Sequence, residues 1–158
     1  MKTGIFYGST TGVTQDIAER VGKLLGADVM PAADIEKITN YDLAILATST
    51  WGMGDLQDDW FEPLDRLKAL NLTGKKIALI GVGDQEGFGD TFVDGIAAIY
   101  DEIKGKGITL VGKTSTDGYS FSASRAAEDD EFLGLVIDEN NQSSLTDERI
   151  AAWVEKIK

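Results

Sequence analysis

The sequence predicts an α/β fold: a three-layer, doubly wound domain around a five-stranded parallel sheet. Short apolar runs without alternation recur along the chain, as parallel strands covered on both faces require. Stretches with apolar residues at helical spacing separate them, giving strand–helix–strand units with right-handed crossovers. At the start of the chain, a strand runs into a hydroxyl-rich turn and then into a helix, which points to a ligand at one end of the sheet.

Taken in order, the first strand is expected at Thr3–Tyr7 and the first helix at Val13–Leu25, where Ile17, Val21, Leu24 and Leu25 share a face. Further strands are expected at residues 27–30, 43–47, 77–82 and 108–111. Helical patterns fall near 63–70 and at 92–104, where Phe92, Ile96, Ile99 and Ile103 line up. The last helix carries Ile150, Trp153, Val154 and Ile157, and Thr146-Asp147-Glu148 supplies a cap and negative charge at its start. Residues 114–130 break the rhythm. Polar residues with Tyr119 and Phe121 stand where the fifth strand should end, and a second apolar run follows at 132–137. An excursion of roughly twenty residues that splits the fifth strand accounts for both; long loops of this kind are often functional. Residues 1–158 read as a single domain, without repeats or linkers.

Composition narrows the chemistry. The chain has no cysteine and no histidine, which excludes disulfides, thiolate sites, cysteine catalysis and the commonest general base. Redox chemistry would therefore need a bound organic cofactor. The net charge of −12 disfavours nucleic acid and anionic membranes, and it favours basic protein partners over neutral ones if it serves more than solubility. No apolar run is long enough for a membrane span, and no secretory leader is visible.

Three loops should leave the carboxyl ends of neighbouring strands. The first, Ser9-Thr10-Thr11-Gly12-Val13-Thr14, can seat an anion on the unpaired amides of a helix start. It lacks the lysine of a nucleoside-triphosphate loop and the spacing of a dinucleotide loop. A polar turn with an ordinary helix cap would show the same six residues. The second loop is Thr48-Ser49-Thr50-Trp51-Gly52-Met53-Gly54-Asp55, and the third is Gly83-Asp84-Gln85-Glu86-Gly87-Phe88-Gly89-Asp90. Each of these two places one large aromatic among glycines, and two such rings could sandwich a flat ring system.

With these residues the chain resembles the flavodoxins over nearly its whole length. The resemblance rests on the first loop, Thr50-Trp51, and Gly83-Asp84-Gln85 with Gly87. It extends to Asp117-Gly118-Tyr119, Gly134-Leu135, Asp138-Glu139-Asn140-Asn141-Gln142, Leu145-Thr146-Asp147 and Trp153. The late stretch is similar to the long-chain subfamily, which splits its last strand with an insertion. The resemblance implies the strand order 2-1-3-4-5 with flavin at the switch point, an order taken from the family and not from the pattern. It implies non-covalent flavin mononucleotide (FMN) and a low-potential one-electron carrier working on the semiquinone/hydroquinone couple, not an enzyme. The phosphate would rest on Ser9, Thr10, Thr11, Gly12, Val13 and Thr14. The ring would meet Thr48, Ser49, Thr50, Trp51, Gly52, Met53 and Gly54 on one side, and Gly83, Asp84, Gln85, Gly87, Phe88 and Asp90 on the other. Trp51 and Phe88 would flank it, with Phe88 standing where the family usually has tyrosine. Stacking survives that change, but a hydroxyl is lost. No metal is expected. The implied partners are an NAD(P)H-dependent flavodoxin reductase and low-potential oxidoreductases with basic docking faces, met by a cytoplasmic monomer. A quinone reductase of the same fold is the alternative; reduction of the flavin by NAD(P)H alone would favour it. A signalling receiver is disfavoured, because Gly8-Ser9-Thr10 and Thr48-Ser49-Thr50 stand where its acidic residues belong.

Charge patterning bears on the expected potentials. No Lys or Arg stands between Lys2 and Arg20, Lys37 and Arg66, or Lys76 and Lys104, and all three loops fall in those gaps. One carboxylate about 10 Å from the ring, at an effective dielectric near 20, would oppose a negative flavin by roughly 1–2 kcal/mol, or about 40–90 mV. A carbonyl of the Gly52–Met53 peptide that turns to accept a flavin N–H would contribute about 1 kcal/mol, or roughly 40–60 mV. Gly52 permits the turn, although it equally suits a tight loop.

Overall fold

The structure is a computed structural model that describes residues 2–9, 12–51 and 55–158, and of residues 51, 55 and 56 the backbone alone. Its main strands are β1 (Thr3–Tyr7), β2 (Asp28–Pro31), β3 (Leu43–Trp51), β4 (Lys76–Val82) and β5 (Leu135–Ile137). They run parallel in the order β2-β1-β3-β4-β5. In register, Ile5 lies beside Val29 and Ile45, Ile45 beside Ala78, and Leu135 beside Ile80.

Successive side chains of each continuous apolar run point to opposite faces, so both faces of the sheet need cover. Helices α1 (Val13–Leu25) and α4 (Thr146–Ile157) cover one face, with Ile17, Val21, Trp153 and Ile157 packed on Ile5, Ile45 and Ile80. The other face carries Phe6, Leu46 and Leu79. Helices α2 (Phe61–Ala69) and α3 (Asp94–Ile103) cover it together with a 3-10 run at Ala32–Asn40. That run replaces a crossover helix; Ile35 and Ile38 are its buried anchors.

The expected split of the fifth strand is present. Thr109–Leu110 pairs with the start of β4 at Lys76 and Ile77, and β5 pairs with its end at Ile80, Gly81 and Val82. The apolar run at 132–137 is nevertheless not one strand. Glu131–Phe132 pairs antiparallel with Thr114–Ser115 and Ala127–Glu128, so the excursion has its own three-stranded sheet. The join falls at Gly134, where a Cβ would collide with the Leu79 carbonyl. The excursion is anchored by Phe132, which is fully buried and meets Phe92, Tyr119 and Phe121 at centroid distances of 6.0, 5.0 and 5.3 Å.

Three other boundaries differ from the expectation. β3 continues through Thr48, Ser49 and Thr50 to Trp51 and forms a short hairpin with Asp55–Leu56, so the second loop begins later than the polar residues indicate. α3 starts at Asp94, not residue 92, because Val93 turns left-handed at φ 50°. Thr146 lies inside α4 and does not cap it; its hydroxyl donates to the Glu139 carboxylate at 3.0 Å.

Candidate functional site

In an open parallel sheet a crevice forms where chains leave neighbouring strands for opposite faces. Here α1 follows β1 onto one face, and the chain after β3 takes the other. At this edge an open cleft encloses about 120 Å³. Val13 and Thr14 line it from α1, Ser49 and Thr50 from β3, and Val82, Gly83, Asp84 and Phe88 from the end of β4 and the loop after it. Glu139 and Asn140, after β5, complete the lining. A roomier hollow of about 280 Å³ lies between the excursion and α4, lined by Tyr119, Arg149 and Trp153 among others; it shares no residue with the three loops.

The start of α1 has the geometry of an anion seat. Gly12 precedes it in the left-handed region at φ 90°, and among the described residues no side chain caps the helix. Its first-turn amides therefore remain available to an anion. Ser9 is committed within the protein: its hydroxyl accepts from the Gly12 amide at 3.0 Å, and its own amide donates to the Asp59 carboxylate at 3.1 Å. Thr14 is buried at 2 % exposure and borders the cleft. Below, Trp60 is fully buried with its indole N–H on the Ala47 carbonyl at 2.9 Å.

From β3, Thr48 is buried, and the Thr50 hydroxyl accepts from the Gly95 amide at 2.7 Å, tying the strand to the start of α3. Thr10, Thr11, Gly52, Met53 and Gly54 lie outside the described residues, as does the side chain of Trp51. The expected two-ring sandwich is thus described on one side only. Phe88 lines the cleft at 44 % exposure.

The third loop is held by many hydrogen bonds. The Asp84 carboxylate accepts from the amides of Gly87 at 2.8 Å and Glu86 at 3.1 Å. The side-chain amides of Asn140 and Asn141 donate to it at 3.0 and 2.7 Å. The Gly87 amide first, and then these two asparagines, hold its pKa down at about 2 against the desolvation that opposes them. A Cβ on Gly87 would stand 2.5 Å from the same carboxylate, so a side chain there would push Asp84 off its bonds. Gln85 is buried with its side chain turned into the protein, donating to Asp138 at 2.8 Å and accepting from the Ser120 amide. Asp90 is exposed and does not line the cleft.

Among the described lining residues there is no lysine or arginine. Arg20 nevertheless comes closer than the charge gaps predict. From α1 it reaches Glu139 at 3.6 Å, Asp16 at 2.8 Å and Asp147 at 3.3 Å. Sequence reasoning named the stretch around Glu139 but did not place it in the site. The signal was available in the position of this stretch directly after a strand end.

The fold and this cleft define a doubly wound domain of the mononucleotide-binding kind, with an anion seat beside a half-open slot for a flat group. The flavodoxin family profile matches residues 5–153. A flavodoxin from Helicobacter pylori is 46 % identical over 160 residues, covering 99 % of this chain and 96 % of that one. Flavodoxin 1 of Escherichia coli is 44 % identical over 161 residues, covering 98 % and 92 %. The crystal structure of Fusobacterium nucleatum flavodoxin bound to flavin mononucleotide superposes with a TM-score of 0.94 at 36 % identity, covering 99 % of this chain and 97 % of that one. The chain belongs to the flavodoxin family, whose members are FMN-based electron carriers and not enzymes.

Proposed function

We propose that this chain, as a single domain over residues 1–158, binds FMN non-covalently in the cleft at the ends of β1, β3 and β4. The observation that carries this is the joining, among the described residues, of a helix start without a side-chain cap, hydroxyl side chains and an exposed aromatic in one slot with no lining cation. Bound FMN would supply one-electron chemistry at low potential. The residues proposed to hold its phosphate are Ser9, Thr10, Thr11, Gly12, Val13 and Thr14, with the amide of Ser9 available only if Asp59 gives way. The ring would lie between Trp51 and Phe88, against Thr48, Ser49, Thr50, Gly52, Met53 and Gly54 on the second loop. Gly83, Asp84, Gln85, Gly87 and Asp90 would set the third loop. Asp84 and Glu139 would oppose negative charge on the ring, and Phe88 would keep water from one face of it.

As an electron carrier the chain needs redox partners. We read these as reductases and low-potential oxidoreductases with basic docking faces, because Asp58, Asp59 and Glu62 on one rim and Glu86 and Asp90 on the other are all exposed. A cytoplasmic monomer fits the net charge of −12. Among the described residues no helix is long and apolar enough to cross a membrane. Titration of FMN into the apoprotein tests the reading. Quenching of flavin fluorescence at one equivalent is expected, and a protein that stays colourless would overturn it.

A further inference from the structure

A buried carboxylate stands behind the described cleft. Asp138, directly after β5, has 0 % exposure. Among the described residues no lysine or arginine pairs with it. It is satisfied by N–H groups alone. One oxygen accepts from the amides of Asn140 and Asn141, both at 3.0 Å. The other accepts from the Gln85 amide at 3.0 Å, the Gln85 side chain at 2.8 Å and the Asn141 side chain at 2.8 Å. An isolated carboxylate is costly to bury, so the fold must keep these donors aimed at it.

The donors are what give the arrangement its meaning. Gln85 supplies both its backbone and its side chain, and its carbonyl end accepts from Ser120 in the excursion. The Asn141 side-chain amide divides its two hydrogens between Asp138 and Asp84. Asp84 in turn holds the amides of Glu86 and Gly87. Asp84 and Gln85 on the third loop are thus joined to Asp138, Asn140 and Asn141 after β5, and none of these bonds depends on a flexible cation.

We propose that Asp138 is a positioning residue for the flavin. Its buried carboxylate fixes Gln85 and, through Asn141, Asp84, so the third loop holds its binding conformation before the cofactor arrives. This rests on the reading that FMN occupies the cleft. Preorganised donors spare the binding step the cost of ordering the loop. The conformation set this way determines both FMN affinity and the midpoint potential of the bound flavin.

The test compares wild type, Asp138→Asn and Asn141→Ala. Amide hydrogen exchange is followed in the apoproteins, and FMN affinity and midpoint potential in the loaded ones. In Asp138→Asn an amide nitrogen would face donors, so exchange at Gln85 and Ser120 should quicken at least tenfold while β1 and α1 keep their protection. FMN affinity should fall about 30-fold, and the potential should shift. Asn141→Ala, on an exposed side chain, should give a smaller loss of about fivefold; it decides the matter if Asp138→Asn does not fold. Unchanged exchange at Gln85 in the folded variants, with affinity within twofold of wild type, would overturn the proposal. Uniformly faster exchange across β1 and α1 would also overturn it, by showing a merely structural role. A wild type that fails to bind FMN would remove the flavin reading and leave the exchange measurements to judge the loop.

Discussion

The two ends of the cleft are built on different principles. At the anion seat, the described polar contacts between loops are few, and the one from the Ser9 amide to Asp59 lies at the surface. At the third loop, Asp84 and Asp138 each take several N–H bonds, and Asp138 takes them in full burial. Among the described residues, the first end shows few such bonds and rests on the packed indole of Trp60. The second is a hydrogen-bonded lattice formed in advance. A multiply charged phosphate can organise loose donors by its own field, whereas a ring with little charge needs a slot already shaped.

Changes at the two ends should therefore differ in kind. The largest effect is expected where the seat rests on the core. Trp60→Ala removes a fully buried indole and its bond to Ala47, and should cost about 3–5 kcal/mol of stability. Urea unfolding measures it, and a loss below about 1 kcal/mol would show that the seat does not lean on Trp60. Next come the hydroxyls: Thr11→Ala and Thr14→Ala should each weaken FMN binding by about 1 kcal/mol, roughly fivefold, while stability changes little. Unchanged affinity in both would move the phosphate elsewhere.

The acid response sharpens the contrast at the other end. Asp84 has its pKa lowered from 3.8 to about 2, chiefly by the Gly87 amide and the two asparagines. Its ionised form therefore stabilises the fold above the unfolded value, and that contribution is lost as pH falls from about 4 towards about 2. In Asp84→Asn the fall in urea midpoint between pH 5 and pH 3 should be shallower than in wild type. Parallel curves would show that the lattice does not depend on this charge. The smallest effect is expected from Asp59→Asn, which removes a charge beside the Ser9 amide and should tighten FMN about twofold to threefold. Weaker binding would mean that Asp59 helps to shape the seat.

The sheet was legible because burial on both faces leaves continuous apolar runs such as Ile77 to Val82, and the helices because Ile96, Ile99 and Ile103 repeat at one spacing. The end of β3 was not, since Thr48, Ser49 and Thr50 have loop-like composition and are held in the strand by β4 and by the Gly95 amide. The loops themselves were found from glycine and aromatic content. The connections behind them were hidden: Gln85 and Asp138 are 53 residues apart, and a polar pair at that separation leaves no periodic trace. Thr146 shows the same limit, because a cap and a tertiary bond to Glu139 look alike in sequence.

The split of the fifth strand also governs how copies of the molecule meet. An unpaired sheet margin invites another chain to add itself, and the usual defences are shortness, proline and interruption. One margin here is β2, four residues long and ending at Pro31. The other is divided into Thr109–Leu110 and Leu135–Ile137, with the excursion folded between them. Neither presents a long, straight ladder, so a single continuous strand in place of the two pieces would give crowded copies a template for fibrous association.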